Sequence, residues 1–443
     1  MNILASQFNT KSLLKYVLPT ILMMIFMSTY TIIDGLFVAH LIGEDALSAV
    51  NIVMPTLNLV MAIGLMFATG ATAVMGKLMG QGKDFEARSF LSVVYLVAIA
   101  IGLVITMVFI LFPEEIIGIL GGKGDLFDYS KEYLIALSYF SIPFILQMFV
   151  QSFFVLAGKP TLGFLLCLLG GVTNMILDYV LISPNFMGLG IIGAGLATGI
   201  GNSVPAIAGG IYFLVNRKGS LYFAKPIWHG KTFFQSVFNG MSELVSQLST
   251  AVTTLLFNII LLEIAGKSGV ASISVILYIQ MIQTALYLGY SVGVAPIISY
   301  KYGAGDTKQL QEVIKISVYF TAAVSILIIS FSLLFDDFAI GIFISKESET
   351  FSMAKQGLRL FSIAYLFMGL NVFISSMFTA LSNGKISAIL SLSRTLVFLI
   401  GSLILLPMVL ELNGVWLAVP LAELLAFGLA LYFYKNKQKQ YGY

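Results

Sequence analysis

Long apolar stretches, broken by short clusters of charge, glycine and proline, set the pattern of this chain. Each stretch approaches or exceeds the roughly 20 apolar residues that a helix needs to cross a bilayer. Breaks at the charged, Gly and Pro clusters predict helices over 13–41, 47–78, 89–112, 130–157, 161–183, 190–215, 233–262, 269–300, 309–335, 352–381, 386–409 and 413–434. The longest loop, NRKGSLYFAKPIWHGK from Asn216 to Lys231, falls in the middle and separates six spans from six. The pattern therefore predicts an all-α polytopic membrane protein with twelve transmembrane helices in two pseudo-symmetric six-helix lobes. An N-terminal lobe over 1–215 is joined by a loop over 216–232 to a C-terminal lobe over 233–443.

Composition supports this reading. Of 443 residues, 58% are hydrophobic and 10% charged, whereas a soluble domain carries about 25% charged residues. The single cysteine, Cys167, excludes an internal disulfide and sits in an apolar helix as a packing residue. His40 and His229 are too few and too far apart in sequence for a zinc site. The first apolar segment is a full-length span without a small-residue cleavage site, so it reads as retained. There is no GxxxxGK[ST] and no soluble segment large enough for a nucleotide domain. A membrane enzyme would need a His, Cys or metal constellation at depth, and a receptor a substantial soluble domain. The sequence points to neither, nor to a nucleic-acid partner.

The charges then give the chain a direction. With both termini and the loops after even-numbered spans on one side, that side holds seventeen of the 24 Lys and Arg. The excess predicts that both termini are cytoplasmic. Sorting all charges in this way leaves five at membrane depth: Asp34, Asp178, Glu243, Glu423 and Arg394. A carboxylate at bilayer depth costs roughly 2.5–3.5 kcal/mol on insertion scales, so these groups should line an interior cavity or pair with one another. Four acids against one base favour cations. The 35 Phe, 20 Tyr and 19 Met fit an adaptable apolar surface for organic cations, although most of them fill core and lipid-facing positions.

Asp34 and Asp178 form the sharpest candidate site. Asn174 and Asp178 are four apart and share one helix face, as do Tyr30 and Asp34. Two nearby carboxylates in low dielectric repel each other when both are ionised, which favours proton uptake by the pair. The same oxygens also suit Na⁺, and the residues leave H⁺ and Na⁺ both open. Gln280, Gln283 and Asn371 are candidate polar lining of a cavity, and Arg394 could pair with Glu243 or Glu423.

The two halves also repeat. IGEDALSAV (42–50) matches AGKSGVASI (265–273), and TGATAVMGKLMGQGKD (69–84) matches VGVAPIISYKYGAGDT (292–307) without a gap. Gly43, Gly70, Gly80 and Gly82 coincide with Gly266, Gly293, Gly303 and Gly305. A six-span repeat enters the membrane twice from the same side, with its axis along the membrane normal, which suits alternating access. Asp34 maps onto Phe257, so the acid pair belongs to one half.

At TYTIIDGLFVAHLIG in the first span and GYSVGVAPIISYKYGAGD in the eighth, the sequence resembles the multidrug and toxic compound extrusion (MATE) family, in its DinF-like and MepA-like bacterial branch. The resemblance covers nearly the whole chain. It implies a cation-coupling set of Asp34, Asn174, Asp178 and Thr198. It also implies roles for Gln151 and Tyr30 beside that set, and a bend of the first span at Pro19. The NorM-like branch uses acids in the seventh and tenth spans. Here Glu243 lies early in the seventh, and no acid stands between Phe361 and Leu381 in the tenth, which argues against a second-lobe coupling site.

The expected function is a monomeric secondary antiporter of the bacterial inner or plasma membrane. It would export organic, cationic and amphipathic compounds in exchange for H⁺ or Na⁺, with no organic cofactor. Glu243, Gln280, Gln283, Asn371, Arg394 and Glu423, with Tyr30 and Gln151, would line the substrate cavity. The alternative is a lipid-linked precursor or polysaccharide flippase, against which twelve spans and the acidic interior both count.

Overall fold

The computed structural model describes residues 3–443, apart from the side chains of Leu36, Ala39, Glu44, Asp125 and Glu349. Every regular element among them is helical. The first half holds α1 (Thr10–Leu41), α2 (Glu44–Gly80), α3 (Asp84–Leu111), the short α4 (Pro113–Ile119), α5 (Asp125–Ser138), α6 (Ser141–Leu156), α7 (Pro160–Ile182) and α8 (Gly190–Val215). The second holds α9 (Gly230–Ala304), α10 (Thr307–Leu334), the short α11 (Asp336–Gly341), α12 (Glu349–Phe361), α13 (Tyr365–Ala380), α14 (Gly384–Leu392), α15 (Leu399–Leu405) and α16 (Pro407–Tyr441).

Ten helical stretches have the length and apolarity of a membrane span, and the pair α5–α6 makes an eleventh. The twelfth comes from α9. Its 75 residues would extend about 110 Å as a straight helix, several times the roughly 30 Å hydrocarbon core. At Gly266 its backbone leaves helical geometry (φ 62°, ψ −152°), so α9 is two spans laid end to end. A second break, at Glu411 (φ 49°, ψ −129°), ends the eleventh span and starts the twelfth within α16.

The fourth span differs from the single helix expected over 130–157. It is broken at Tyr139–Phe140, and its two parts meet at 60°. Pro143 lacks the N–H that would bond the carbonyl of Tyr139. The neighbouring Ser138 carbonyl accepts from the hydroxyls of Thr106 and Ser141, at 2.8 Å each. The eleventh span likewise departs from a regular helix. It carries a π-helical segment over Ser393–Phe398 that holds Arg394.

The two halves repeat each other in geometry. Gly43 and Gly266 both break the chain before the next span with positive φ, and Gly82 and Gly305 both turn it in left-handed conformation after that span. An L side chain would be strained at all four. The short helices α4 and α11 occupy the same place in each half, and each is tied to the following span. Lys131 reaches Glu114 at 2.6 Å, while Lys355 reaches Asp337 at 2.5 Å and Arg359 reaches Asp336 at 2.6 Å.

Both ends of the chain lie on one face, as an even number of spans requires. Lys301 Nζ donates to the Ala5 carbonyl, and Gln311 Nε2 to that of Gly442. Near this face the halves pack backbone to backbone. Gly70 has no room for a Cβ beside the Ser236 backbone, nor Gly240 beside that of Met66 or Gly303 beside that of Lys77. The loop after α8 belongs to the first half: the N–H groups of Ala224 and Ile227 donate to the hydroxyls of Ser92 and Ser89 on α3.

Candidate cation and substrate site

Four elements of the first half build the acid site. Asp34 stands late in α1 and Asp178 near the end of α7, both buried, with Asp178 fully inaccessible. Their carboxyl groups lie close enough to interact directly. A carboxylate only accepts, so a hydrogen bond between the two requires a proton on one of them. Among the described residues no side chain or backbone group bonds Asp34 Oδ1 or either oxygen of Asp178. Tyr30, one turn before Asp34, and Tyr133 of α5 lie close enough to sense both carboxyls electrostatically. No basic side chain is hydrogen-bonded or ion-paired to either acid among the described residues.

Asn174 shares the Asp178 face of α7, and both its amide atoms are buried without a partner. It opens onto a small crevice lined also by Tyr30, Gln147, Cys167 and Asn202. Small residues create this arrangement. A Cβ on Gly201 of α8 would meet Asn174 Cβ at 2.6 Å, and one on Gly171 of α7 would meet the Phe26 ring of α1 at 2.5 Å. Close approach at glycine is a common way to join helices in lipid. Here it places α1, α7 and α8 around one polar point.

Thr198 of α8 donates to the Ala194 carbonyl of its own helix and lies near Tyr133. Asn202, one turn on, donates to the Thr198 carbonyl at 2.8 Å. Gln151 is turned toward α1, where its Nε2 meets Met27 Sδ at 3.0 Å. Pro19 lies inside α1, which continues as a helix through it. Tyr133, Gln147 and Asn202 are members of this neighbourhood that the sequence does not single out. Asn202 follows Thr198 and Gln147 precedes Gln151 by one turn, and that spacing is the only signal they carry.

The second half holds a different arrangement. Arg394 Nε donates to Glu423 Oε1 at 2.8 Å. Asn371 Nδ2 donates to Glu423 Oε2 at 2.7 Å and to the Glu423 carbonyl at 2.9 Å. Glu423 is therefore a buried, fully engaged carboxylate, and the Arg394 alternative resolves in its favour. Glu243, in the first turns of the seventh span, feels the Arg394 charge. Gln283 donates to Ser332 of α10 at 2.7 Å in a buried helix contact, and Gln280 Nε2 lies 3.9 Å from Met368 Sδ. Below Asn371, hydroxyls line the contact of α13 with α14. Ser375 lies 3.0 Å from Ser387 and 3.2 Å from Ser391, and Thr379 donates to Ser387 at 2.7 Å. Among the described residues no group of three or more His, Cys, Asp and Glu side chains is placed to hold a metal ion.

Comparison with known proteins places this geometry. The family model described as MatE matches twice, at residues 19–180 and 244–404, once in each half. The multidrug export protein MepA of Staphylococcus haemolyticus is 24% identical over 425 residues, covering 95% of this chain and 92% of that protein. MepA of Staphylococcus aureus is 25% identical over 419 residues, covering 93% of this chain and 90% of that protein. A crystal structure of a MATE in complex with MaL6 superposes with a TM-score of 0.92 at 19% identity, over 99% of this chain and 98% of that one.

Proposed function

Since the chain belongs to the MatE family of multidrug efflux transporters, we propose that it is a proton-coupled antiporter exporting organic, cationic and amphipathic compounds. The observation that carries this reading is the close approach of the buried carboxyls of Asp34 and Asp178, whose oxygens Asp34 Oδ1, Asp178 Oδ1 and Asp178 Oδ2 have no partner among the described residues. A proton shared between them has no paired base competing for it. Chain direction follows the positive-inside excess, with both termini in the cytoplasm. The lobes are residues 1–215 and 233–443, joined by 216–232, and the unit is a monomer.

In this reading Asp34 and Asp178 take up a proton from the outer side. With one proton shared the pair carries one negative charge instead of two and attracts a cationic substrate less, while Asn174, Thr198 and Tyr133 offer polar groups beside it. Pro19 leaves the Lys15 carbonyl without its helical partner, so α1 can bend there as the pair changes charge. The lobes then part on the terminal face, the proton leaves to the cytoplasm, and substrate rebinds. The second lobe supplies Glu243 as a cation-attracting carboxylate, with Arg394 and Glu423 neutralising each other beside it.

Ethidium efflux from proteoliposomes under an imposed pH or Na⁺ gradient tests this. The reading expects efflux driven by the pH gradient in wild type and none above leak in Asp34→Asn. Efflux driven only by Na⁺ would move the coupling ion to Na⁺ on the Asn174 and Asp178 oxygens. No efflux under either gradient would exclude ethidium as a substrate and favour a dedicated exporter or flippase.

A further inference from the structure

The N-terminal segment before α1 does not trail away from the molecule. Residues Ile3–Ala5 form a 3₁₀ turn whose Leu4 is completely buried, and Phe8 is nearly so. The segment touches both halves of the chain. Toward the first half, Ile3 covers Gly158 in the turn between the fourth and fifth spans. Phe8 packs edge-on against Tyr16, whose hydroxyl donates to the Val155 carbonyl. Toward the second half, the Phe8 N–H donates to Gln309 Oε1 at 2.7 Å, and Lys301 Nζ reaches the Ala5 carbonyl at 3.3 Å.

Lys301 makes this more than a passing contact. It is only 2% exposed, one of the largest fully buried side chains in the protein. Its one ion-pair partner among the described residues is Asp306, five residues on and itself partly exposed, at 3.3 Å. A buried lysine needs its donors satisfied, and the Ala5 carbonyl is one of its two acceptors among the described residues. The ammonium is thus covered by the segment, and it is rehydrated when the segment lifts. These contacts lie on the face where glycines bring the two halves together, between Gly70 and Ser236 and between Gly303 and Lys77.

We propose that residues 3–9 are a latch that clasps the two halves across their terminal-face seam, with Lys301 and Gln309 as its catch on the second half. When the seam opens, the segment stays with the first half through Ile3, Phe8 and Tyr16 and leaves Lys301 and Gln309. The latch thereby sets the balance between the state closed on this face and the state open to it. The proposal rests on the seam being the gate of the transport cycle described above.

A cysteine reporter reads the seam directly. Ser236→Cys, in a Cys167→Ala background, places a small, buried thiol on the residue whose backbone meets Gly70 across the seam. Its reaction with a membrane-impermeant maleimide is followed in inverted vesicles, alone and combined with Gln309→Ala, Phe8→Ala or Lys301→Met. Loss of the Gln309 hydrogen bond in Gln309→Ala, or of the Phe8 ring's packing on Tyr16 in Phe8→Ala, is expected to speed labelling roughly fivefold. Monodisperse elution of each variant keeps misfolding apart from opening. Measurable labelling that stays at the reporter's own rate in all three variants would overturn the latch alone. Labelling absent in every protein would overturn both the latch and the gate on which it rests.

Discussion

The carboxyl groups of Asp34 and Asp178, brought from the first and fifth spans, come together in an interior where no base is paired with them among the described residues. Replacing either with asparagine retains an amide that can still bond its neighbour but holds no exchangeable proton. Both Asp34→Asn and Asp178→Asn are expected to fold, elute as wild type and lose pH-driven ethidium efflux to the leak rate. An efflux assay on the two purified variants checks this.

Gly201 is the point where α8 closes on Asn174. A methyl group there meets Asn174 Cβ at 2.6 Å, and overpacking of this kind costs about 1–3 kcal/mol. Gly201→Ala is expected to lower the thermal unfolding midpoint in detergent and to slow efflux by separating α8 from α7. Gly210→Ala, whose Cβ would meet nothing within 4 Å, should leave both unchanged.

Buried Glu423 pairs with the half-buried Arg394 and is bound also by Asn371. Removing one partner of a buried pair costs about 3–5 kcal/mol because the other charge is stranded. Arg394→Gln and Glu423→Gln should each destabilise the protein strongly. The double variant should be less destabilised than the sum of the two. Thermal unfolding of the four proteins completes the cycle.

Much of this could be read from the chain, and the parts that could not have physical reasons. The span count is legible because lipid demands continuous apolar helices, and the repeat because glycines at positive φ, such as Gly43 and Gly266, cannot easily be replaced. The bend at Tyr139–Phe140 escaped, since one proline and two hydroxyls give no break in hydropathy. The acid pair is visible as charge out of place. Tyr133 is not, because one tyrosine among 20 carries no signal until α5 bends toward α8. Gln283 shows the converse: a polar residue at depth that suggests a cavity from sequence is bonded to Ser332 in a helix contact.

Glu243 carries the substrate-attracting charge of the second lobe in this account. Glu243→Gln is expected to raise the KM for ethidium about tenfold, the equivalent of roughly 1.4 kcal/mol, with kcat and proton coupling retained. Initial efflux rates over a range of ethidium concentrations separate the two parameters. A fall in kcat at constant KM would move Glu243 from binding to the transport step.

The central claim is that one proton shared by Asp34 and Asp178 is exchanged for substrate. It is tested most directly by adding saturating ethidium to detergent-purified protein in weakly buffered solution and recording the pH with an indicator dye. The account predicts stoichiometric proton release from wild type and none from Asp34→Asn or Asp178→Asn. Undiminished release from both variants, with ethidium still bound, would contradict it.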